Sequence, residues 1–291
     1  MNVARVQLLI AAVLFSTGGA VVKATSFTNW QVAGFRSAIA AVVLALASSE
    51  ARRFSWRTWL VGLAYGTTLV TFVTANKLTT AANAVFLQAA APLYLLLAGP
   101  WLLREPVRRR DLAFIVPIAA GLVLLFSSVE SASTTAPNRP LGNVIGAFSG
   151  MAWSLTIAGL RWLGKSRDPG ASAAAATVCG NVIAAAASLP FALPVAGAQA
   201  GDWLAVVYLG CFQVGLAYVL VTRAIGHVPA MEASLLLLAE PALSPFWAWW
   251  MHGEAPGTLA VLGGVLIIAT TTIAAVARGQ GPPPRTPTPD P

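Results

Sequence analysis

Two long apolar segments of this chain resemble each other. Residues 84–105 are AVFLQAAAPLYLLLAGPWLLRE, and residues 233–254 are ASLLLLAEPALSPFWAWWMHGE. A constant shift of 149 positions aligns six identical residues, which are Ala84/Ala233, Leu87/Leu236, Ala90/Ala239, Pro92/Pro241, Trp101/Trp250 and Glu105/Glu254. Each segment is long enough for an extended helix, with a proline near its middle and a glutamate at its end. The pattern predicts one helical unit that occurs twice in the chain.

The composition places this duplicated unit in a membrane. The chain is 57% hydrophobic and 10% charged, whereas a soluble domain has about 25% charged residues. So little charge cannot cover a surface in contact with water, so most of the outer surface is expected to face lipid. A bilayer core needs about 20 apolar residues per helix. Ten stretches meet this condition: 6–23, 30–48, 58–76, 80–103, 111–128, 142–162, 171–196, 203–222, 231–251 and 257–276.

The positive residues predict the orientation of the helices. If the N-terminus is inside, 14 of the 18 Lys and Arg residues fall in inner loops or at inner helix ends. Only Lys23, Lys77 and Arg139 are then outside, and Arg36 lies within a helix. Cytoplasmic loops carry such an excess of positive charge, so both termini are expected to be cytoplasmic. The same confinement to loops argues against nucleic acid as the partner of this basic chain.

The domain organisation follows from the duplication. Residues 1–128 are predicted to form a first repeat of five helices, and residues 142–278 a second repeat. Residues 129–141 would connect them, and the Pro- and Gly-rich residues 279–291 are expected to be disordered. Five is an odd number, so the second repeat starts on the opposite side of the membrane and is inverted relative to the first. Inverted repeats with broken helices are typical of secondary transporters.

Reactive groups are scarce, which argues against an enzyme. The two histidines, His227 and His252, lie at predicted helix ends, and no phosphate-binding loop or metal-ligand spacing is present. Cys179 and Cys211 lie in apolar stretches and are interpreted as small buried hydrophobic residues. No cofactor and no metal are expected. The first apolar stretch is interpreted as a retained helix rather than a cleaved signal peptide, because many similar stretches follow it.

Small and helix-breaking residues predict close packing and bending. Gly142, Gly146 and Gly150 give the sixth helix a smooth face on which another helix can pack closely. Pro92 and Pro241 occupy equivalent positions in the two repeats and are candidate hinges.

Aromatic and amide side chains within the apolar stretches are the candidate cargo contacts. Helical spacing places Asn83, Tyr94 and Trp101 on one face of the fourth helix. Further candidates lie in the third, sixth and eighth helices: Tyr65, Trp153, Gln213 and Tyr218. Tyr and Trp in mid-membrane need partners for their polar atoms, and their rings can bind an ammonium group. Ordinary helix packing, and an interfacial position for Trp101, remain alternatives.

Glu240 is the sharpest polar feature of the sequence. It directly precedes Pro241 inside an apolar stretch, where a carboxylate costs about 2.5 kcal/mol or more unless it faces a cavity or a partner. It would therefore bind a cationic group or a proton, or be paired structurally with Arg36. Arg36 itself is interpreted as structural.

These residues resemble the drug/metabolite transporter superfamily in its EamA-type branch. The resemblance lies in Pro92 with Arg104-Glu105, in Pro241 with Gly253-Glu254, and in the motifs Phe35-Arg36 and Ala217-Tyr218. It extends over about residues 5–278. It implies an all-α membrane protein of ten transmembrane helices around a central cavity. Helices 1, 3, 4, 6, 8 and 9 would form the wall, and helices 5 and 10 would be peripheral.

The resemblance also implies a function, and its nearest likeness is to bacterial exporters of amino acids, aromatic ones included. The expected protein is a multi-pass transporter of the bacterial inner membrane, with a small-molecule substrate and the lipid bilayer as its partners. A homodimer through helix ten is a further option. A multidrug exporter of aromatic cations is the alternative substrate class, and a membrane-embedded enzyme is the alternative of another kind. Coupling to protons and facilitated diffusion both remain open.

Overall fold

A computed structural model describes residues 3–91, 94, 109–127, 134–164, 172–224, 236–237 and 239–279. These residues form helices and connecting loops and contain no β-strand. The first-half helices are α1 (Val3–Ser16), α2 (Gly18–Lys23), α3 (Asn29–Ala47), α4 (Trp56–Leu78), α5 (Ala81–Ala89) and α6 (Arg109–Ser127). The second-half helices are α7 (Arg139–Gly164), α8 (Ala173–Ala192), α9 (Ala200–Tyr208), α10 (Ala217–Ala224), α11 (Ala239–His252) and α12 (Thr258–Gly279). A π-helix, Leu209–Leu216, joins α9 to α10.

The helices agree with the ten apolar stretches of the sequence. When α1 with α2, and α9 through α10, are each taken as one segment, the described residues hold ten helical segments, one for each predicted stretch. Six of them are long and apolar enough to cross a membrane: Val3–Lys23, Asn29–Ala47, Trp56–Leu78, Arg139–Leu160, Ala173–Ala192 and Ala200–Ala224. Two shorter apolar helices are Ala113–Ser127 and Thr258–Thr270. The predicted all-helical membrane fold is therefore confirmed.

Local hydrogen bonds explain where several helices begin. Thr28 accepts a hydrogen bond from the backbone N–H of Gln31, whose side chain accepts one from the Thr28 N–H in return. Ser55 makes the same reciprocal pair with Thr58. These capping boxes satisfy N–H groups that the first turn of a helix leaves without partners. They set the starts of α3 and α4 one or two residues before the predicted apolar stretches.

The first membrane segment is a broken helix. The α-helical run stops at Ser16, and α2 begins at Gly18. The carbonyl of Ser16 accepts a hydrogen bond from the Ser244 hydroxyl at 3.1 Å, and its own hydroxyl accepts one from the Trp247 indole at 2.9 Å. The Ser244 side chain of α11 thus satisfies a backbone carbonyl at the interruption, as the apolar interior of a membrane requires.

Glycines allow the two halves to pack closely against each other. A Cβ at Gly142 would lie 2.6 Å from the Thr79 backbone nitrogen, and one at Gly150 would lie 2.7 Å from the Leu87 carbonyl oxygen. A Cβ at Gly146 would lie 3.0 Å from the Leu87 side chain. The predicted smooth face of the sixth stretch is therefore confirmed, and it packs on α4 and α5. Contacts of α4 with α7 and α8, and of α3 with α8, join the halves further.

The distribution of apolar surface is that of a membrane protein. Large apolar side chains are exposed on many helices, and Leu46, Val116 and Leu204 each have 70% or more of their surface exposed. Polar side chains are buried instead, among them Arg36 and Asn76. Soluble proteins rarely expose apolar surface so widely. The described part of the bundle therefore has an apolar exterior suited to lipid and a partly polar interior.

Candidate functional site

An aromatic cluster lies where helices of both halves meet. Tyr65 of α4 is buried, and its ring contacts that of Tyr218 of α10 edge-on, with centroids 5.3 Å apart. Phe15 of α1 lies 5.2 Å from Tyr218, also edge-on, and Trp153 of α7 packs against the same group. Four helices distant in sequence thus contribute one ring each, and three of these rings belong to residues predicted from the sequence.

Arg36 of α3 lies beside this cluster. Its side chain is only 1% exposed. One terminal nitrogen donates to the Leu69 carbonyl at 3.1 Å, and the other donates to the side-chain oxygen of Gln213 at 3.4 Å. Arg36 also interacts electrostatically with Tyr65 and Tyr218. The alternative pairing with Glu240 is not formed, because Arg36 makes no ion pair with a described residue.

The π-helix places Gln213 against Arg36. A Cβ at Gly210 would lie 2.6 Å from the Ile39 Cβ, and one at Gly215 would lie 2.8 Å from a Val43 methyl group. These two glycines bring the π-helix against α3 and leave Gln213 buried at 6% exposure. Single π turns inside α-helices are found frequently at functional sites. The sequence predicted Gln213 as a candidate contact but gave no indication of the π geometry.

Glu240 lies in the first turn of α11 and is half-buried. It lies close enough to the Tyr218 phenol to interact with it electrostatically. No hydrogen bond or ion pair joins Glu240 to another described residue. The neighbouring Pro241 is buried. Tyr218 therefore lies within electrostatic reach of both Arg36 and Glu240, so charges of both signs act on one phenol.

A second polar group, which the sequence did not predict, lies at one end of the bundle. Lys23 at the end of α2 makes an ion pair of 2.8 Å with Glu254, and the two side chains are 2% and 6% exposed. Lys23 also donates to the carbonyls of Thr79 and Thr135. Glu254 accepts from the backbone N–H of Ala81 at 3.1 Å. We call these five residues the Lys23 cluster. The sequence hint was that Lys23 and Glu254 both end predicted helices on the same side.

Two smaller polar contacts involve residues from the same predicted side of the membrane. The Lys77 ammonium donates to the carbonyl of Thr25 at 2.7 Å. The Asp202 carboxylate accepts from the Ser26 N–H and hydroxyl, both at 2.7 Å, and from the Gln199 N–H at 2.9 Å. Lys77 and Asp202 therefore both have polar partners within hydrogen-bond distance.

The other predicted site residues lie elsewhere or outside the described residues. Asn83 donates to the side-chain oxygen of Asn143 at 3.2 Å in the first turn of α5, apart from the aromatic cluster. Tyr94 is half-buried against the apolar group of Phe86 and Ile118. Trp101 and Pro92 lie outside the described residues.

Two cavities lie away from these clusters. One, of about 440 Å³, lies between α3 and α8 and has an almost wholly apolar lining that includes Phe35 and Leu189. The other, of about 240 Å³, lies near Glu50 and Arg223. Neither is lined by a residue predicted to contact cargo. The described ranges contain no group of three His, Cys, Asp or Glu side chains that could hold a metal ion, and both cysteines are free.

Comparison with known proteins identifies the family. The EamA-like transporter family matches residues 4–127 and 140–276, which is most of the chain. The chain therefore belongs to this family, as the sequence motifs predicted.

Two individual proteins are similar to it. One is described as the uncharacterized transporter YdfC of Bacillus subtilis (strain 168), 37% identical over 65 residues. That match spans 22% of this chain and only 21% of the Bacillus protein. The other is a solved structure described only as "Crystal structure of protein", with a TM-score of 0.60 and 22% identity, over 96% of this chain and 99% of the other. At that identity the likeness shows the fold alone.

Proposed function

We propose that the protein is a secondary transporter that exports amino acids or related small metabolites from the bacterial cytoplasm. The observation that carries the proposal is the aromatic cluster of Phe15, Tyr65, Trp153 and Tyr218, with Arg36 and Glu240 both within electrostatic reach of Tyr218. Aromatic rings bind apolar and aromatic side chains, and they attract ammonium groups. Family membership supports transport as the kind of activity.

Alternating access of two inverted repeats is the proposed mechanism. Residues 1–128 and 142–278 would be the repeats, and residues 279–291 a tail outside the bundle. The family match supports this division because its two matched regions, 4–127 and 140–276, correspond to the proposed repeats. Pro241, together with Pro92, would act as the hinge pair.

The proposal includes further residues that would contact the cargo. Tyr65, Trp153, Gln213, Tyr218 and Glu240 would form the central part of the path. Three further residues of the fourth stretch would line its wall: Asn83, Tyr94 and Trp101.

The bacterial inner membrane is the proposed location, with both termini in the cytoplasm. The excess of Lys and Arg on one side of the predicted helices supports this orientation. A homodimer would form through α12, where Leu262, Val265 and Ile273 are more than half exposed. If this dimer forms, single cysteines introduced into α12 should crosslink two copies of the chain in native membranes.

Export of aromatic cations is the second candidate function, and Glu240 favours it. Its carboxylate has no cationic partner among the described residues and lies near Tyr218. Under this alternative, Glu240→Gln would abolish transport of cations and leave neutral amino acids unaffected. If Glu240→Gln changes neither, Glu240 has a structural role.

Counterflow in proteoliposomes tests the proposed function. Vesicles with purified full-length protein are loaded with one unlabelled amino acid at a time, and uptake of one labelled amino acid is followed without a pH gradient. Accelerated uptake with some amino acids is the expected result. If no amino acid accelerates uptake, but an imposed proton gradient drives aromatic cations, the amino-acid proposal is wrong and the cation proposal gains.

The same vesicles separate transport from enzymatic turnover. A transporter requires a sealed compartment, whereas an enzyme converts its substrate in detergent as well. Chemical conversion of a tested solute by the solubilised protein would contradict the proposal that the protein is not an enzyme.

A further inference from the structure

The hydrogen-bond donors of Arg36 are only partly used. A guanidinium carries five N–H donors, and the described partners are one carbonyl and one amide oxygen. The Nε atom is buried and has no hydrogen-bond partner among the described residues. The bond to Gln213 is long, at 3.4 Å, compared with the 2.7–2.9 Å of a charge-assisted bond. A fully buried positive charge with an unused donor is costly unless a further group binds it.

Among the described residues, polar atoms of Tyr65 and Asn181 also lack a hydrogen-bond partner. The Tyr65 hydroxyl is buried near Tyr218 and Asn181, yet no described residue forms a hydrogen bond of acceptable geometry with it. The amide of Asn181 donates to the Thr177 carbonyl, while its oxygen is unpaired. Buried polar groups in proteins are almost always hydrogen-bonded. The unpaired donors of Arg36 and of the neighbouring Tyr65 therefore indicate a place where a polar ligand binds.

The Lys23 cluster provides an internal comparison. There a buried positive charge has a carboxylate at 2.8 Å and two carbonyl acceptors. Arg36 is equally buried, yet the described residues give it no carboxylate. The chain therefore pairs a buried cation where the contact is internal, and leaves the pairing incomplete at Arg36.

We propose that Arg36, with the Tyr65 hydroxyl and Gln213, binds the carboxylate of the transported solute. The planar fork of a guanidinium matches the two oxygens of a carboxylate, and the Tyr65 hydroxyl supplies one more donor. The ligand class is therefore a small solute with a carboxylate. This rests on the proposed transport function and assigns to Arg36 a role in binding, in place of the structural role expected from the sequence.

Glu240 completes the site for a zwitterion. It lies within electrostatic reach of Tyr218, as Arg36 does, so charges of both signs act on this phenol. A carboxylate at Arg36 would leave an ammonium group on the Glu240 side, over aromatic rings that favour cations. The favoured solute is therefore an α-amino acid rather than a simple cation, because a cation would be repelled by Arg36.

Ligand-induced stabilisation of the solubilised full-length protein tests the proposal. Each of the twenty common amino acids is added to the wild type in detergent, and the melting temperature is measured. The amino acid with the largest effect is then compared with its carboxamide and with its decarboxylated amine. We expect the amino acid to raise the melting temperature and the two derivatives, which lack the carboxylate, to have no effect.

Three variants make the test specific to Arg36. Arg36→Gln is expected to weaken binding of the amino acid by about tenfold to a hundredfold, since charge-assisted bonds are lost. Arg36→Lys keeps the charge without the fork and should bind with intermediate affinity. Arg53→Gln removes an exposed positive charge instead and should bind like the wild type. Melting temperatures without ligand show whether each variant folds.

The results separate this proposal from the proposed function. Binding that is equal in the wild type and in Arg36→Gln would overturn the inference, as would a wild type that no amino acid stabilises. Stabilisation of the wild type by the amide or the amine as strong as that by the amino acid itself would overturn it and favour cations. A carboxylate that binds at Arg36 but is not exchanged in proteoliposomes would support the inference while contradicting transport.

Discussion

The Lys23 cluster and the surroundings of Arg36 each bury a positive side chain, but they differ in the partners that they give it. Both bury a positive side chain almost completely, at 2% and 1% exposure. Lys23 has a carboxylate and two carbonyl oxygens as partners, whereas the described partners of Arg36 are uncharged and leave Nε unpaired. The difference separates a charge that holds helices together from a charge that is available to a ligand.

The connections between elements support this distinction. Through Lys23 and Glu254, the end of α2 is tied to the residues after α11 and to the start of α5. Such a contact fixes one end of the bundle, and it must break if that end opens during alternating access. Around Arg36, the neighbours are a π-helix and two tyrosines, which can change partners without breaking an ion pair.

The largest expected effect comes from breaking the Lys23–Glu254 pair. Lys23→Met leaves Glu254 buried without its partner and should cost about 3–5 kcal/mol of stability. Thermal unfolding of the purified protein in detergent measures the loss. The double variant Lys23→Met/Glu254→Met removes both charges and should recover most of it, because replacing a buried pair by apolar residues is often neutral. A single variant as stable as the wild type would show that this pair is not structural.

A smaller effect is expected where packing reaches the aromatic cluster. A Cβ at Gly180 would lie 2.4 Å from Cδ1 of Tyr65, so Gly180→Ala should cost about 1–3 kcal/mol by overpacking. It should also weaken amino-acid binding, because the Tyr65 ring must move.

A matched glycine variant controls for the change in backbone freedom. Gly201 lies in α9, and a Cβ there would meet nothing within 4 Å. Gly201→Ala should therefore stabilise the protein by about 0.5–1 kcal/mol, the usual gain from replacing glycine inside a helix. If both variants have the same stability, close packing at Gly180 does not constrain Tyr65.

The smallest expected loss of stability comes from replacing Asp202, which is not part of the Lys23 cluster. Asp202→Asn removes a negative charge from the first turn of α9 and part of its bonding to Ser26 and Gln199. A loss of about 1 kcal/mol is expected, the usual scale for helix-capping contacts. Glu50→Gln, which neutralises an exposed carboxylate, should unfold at the wild-type temperature. Equal melting temperatures for the two variants would show that the Asp202 contacts contribute nothing.

The fold was largely predictable because lipid imposes simple rules. Apolar length alone located the helices, and the glycine spacing at Gly142, Gly146 and Gly150 predicted the close contact with α4 and α5. Local irregularities within a helix depend on single side chains and on their neighbours in space, which apolar length does not show. The π-helix and the break after Ser16 were therefore not predicted.

The site was predictable only in part, since it depends on which helices become neighbours. Tyr65, Trp153 and Tyr218 were chosen as mid-membrane aromatics, and the fold brings them together. Asn83 was chosen as an amide within an apolar stretch, but it bonds to Asn143, apart from the aromatic cluster. The roles of Arg36 and Glu254 depend on contacts between residues about 180 and 230 positions apart, and spacing along one helix does not show such contacts.

Counterflow with an amino acid and its amide tests the central claim most directly. Proteoliposomes of the wild type are loaded with unlabelled phenylalanine or with unlabelled phenylalaninamide, and uptake of labelled phenylalanine is followed without ion gradients. The account predicts that internal phenylalanine accelerates uptake and that the amide, which has no carboxylate for Arg36, does not. Equal acceleration by both would contradict the carboxylate site. Uptake no faster than in protein-free vesicles, with phenylalanine and with the other amino acids alike, would contradict amino-acid transport.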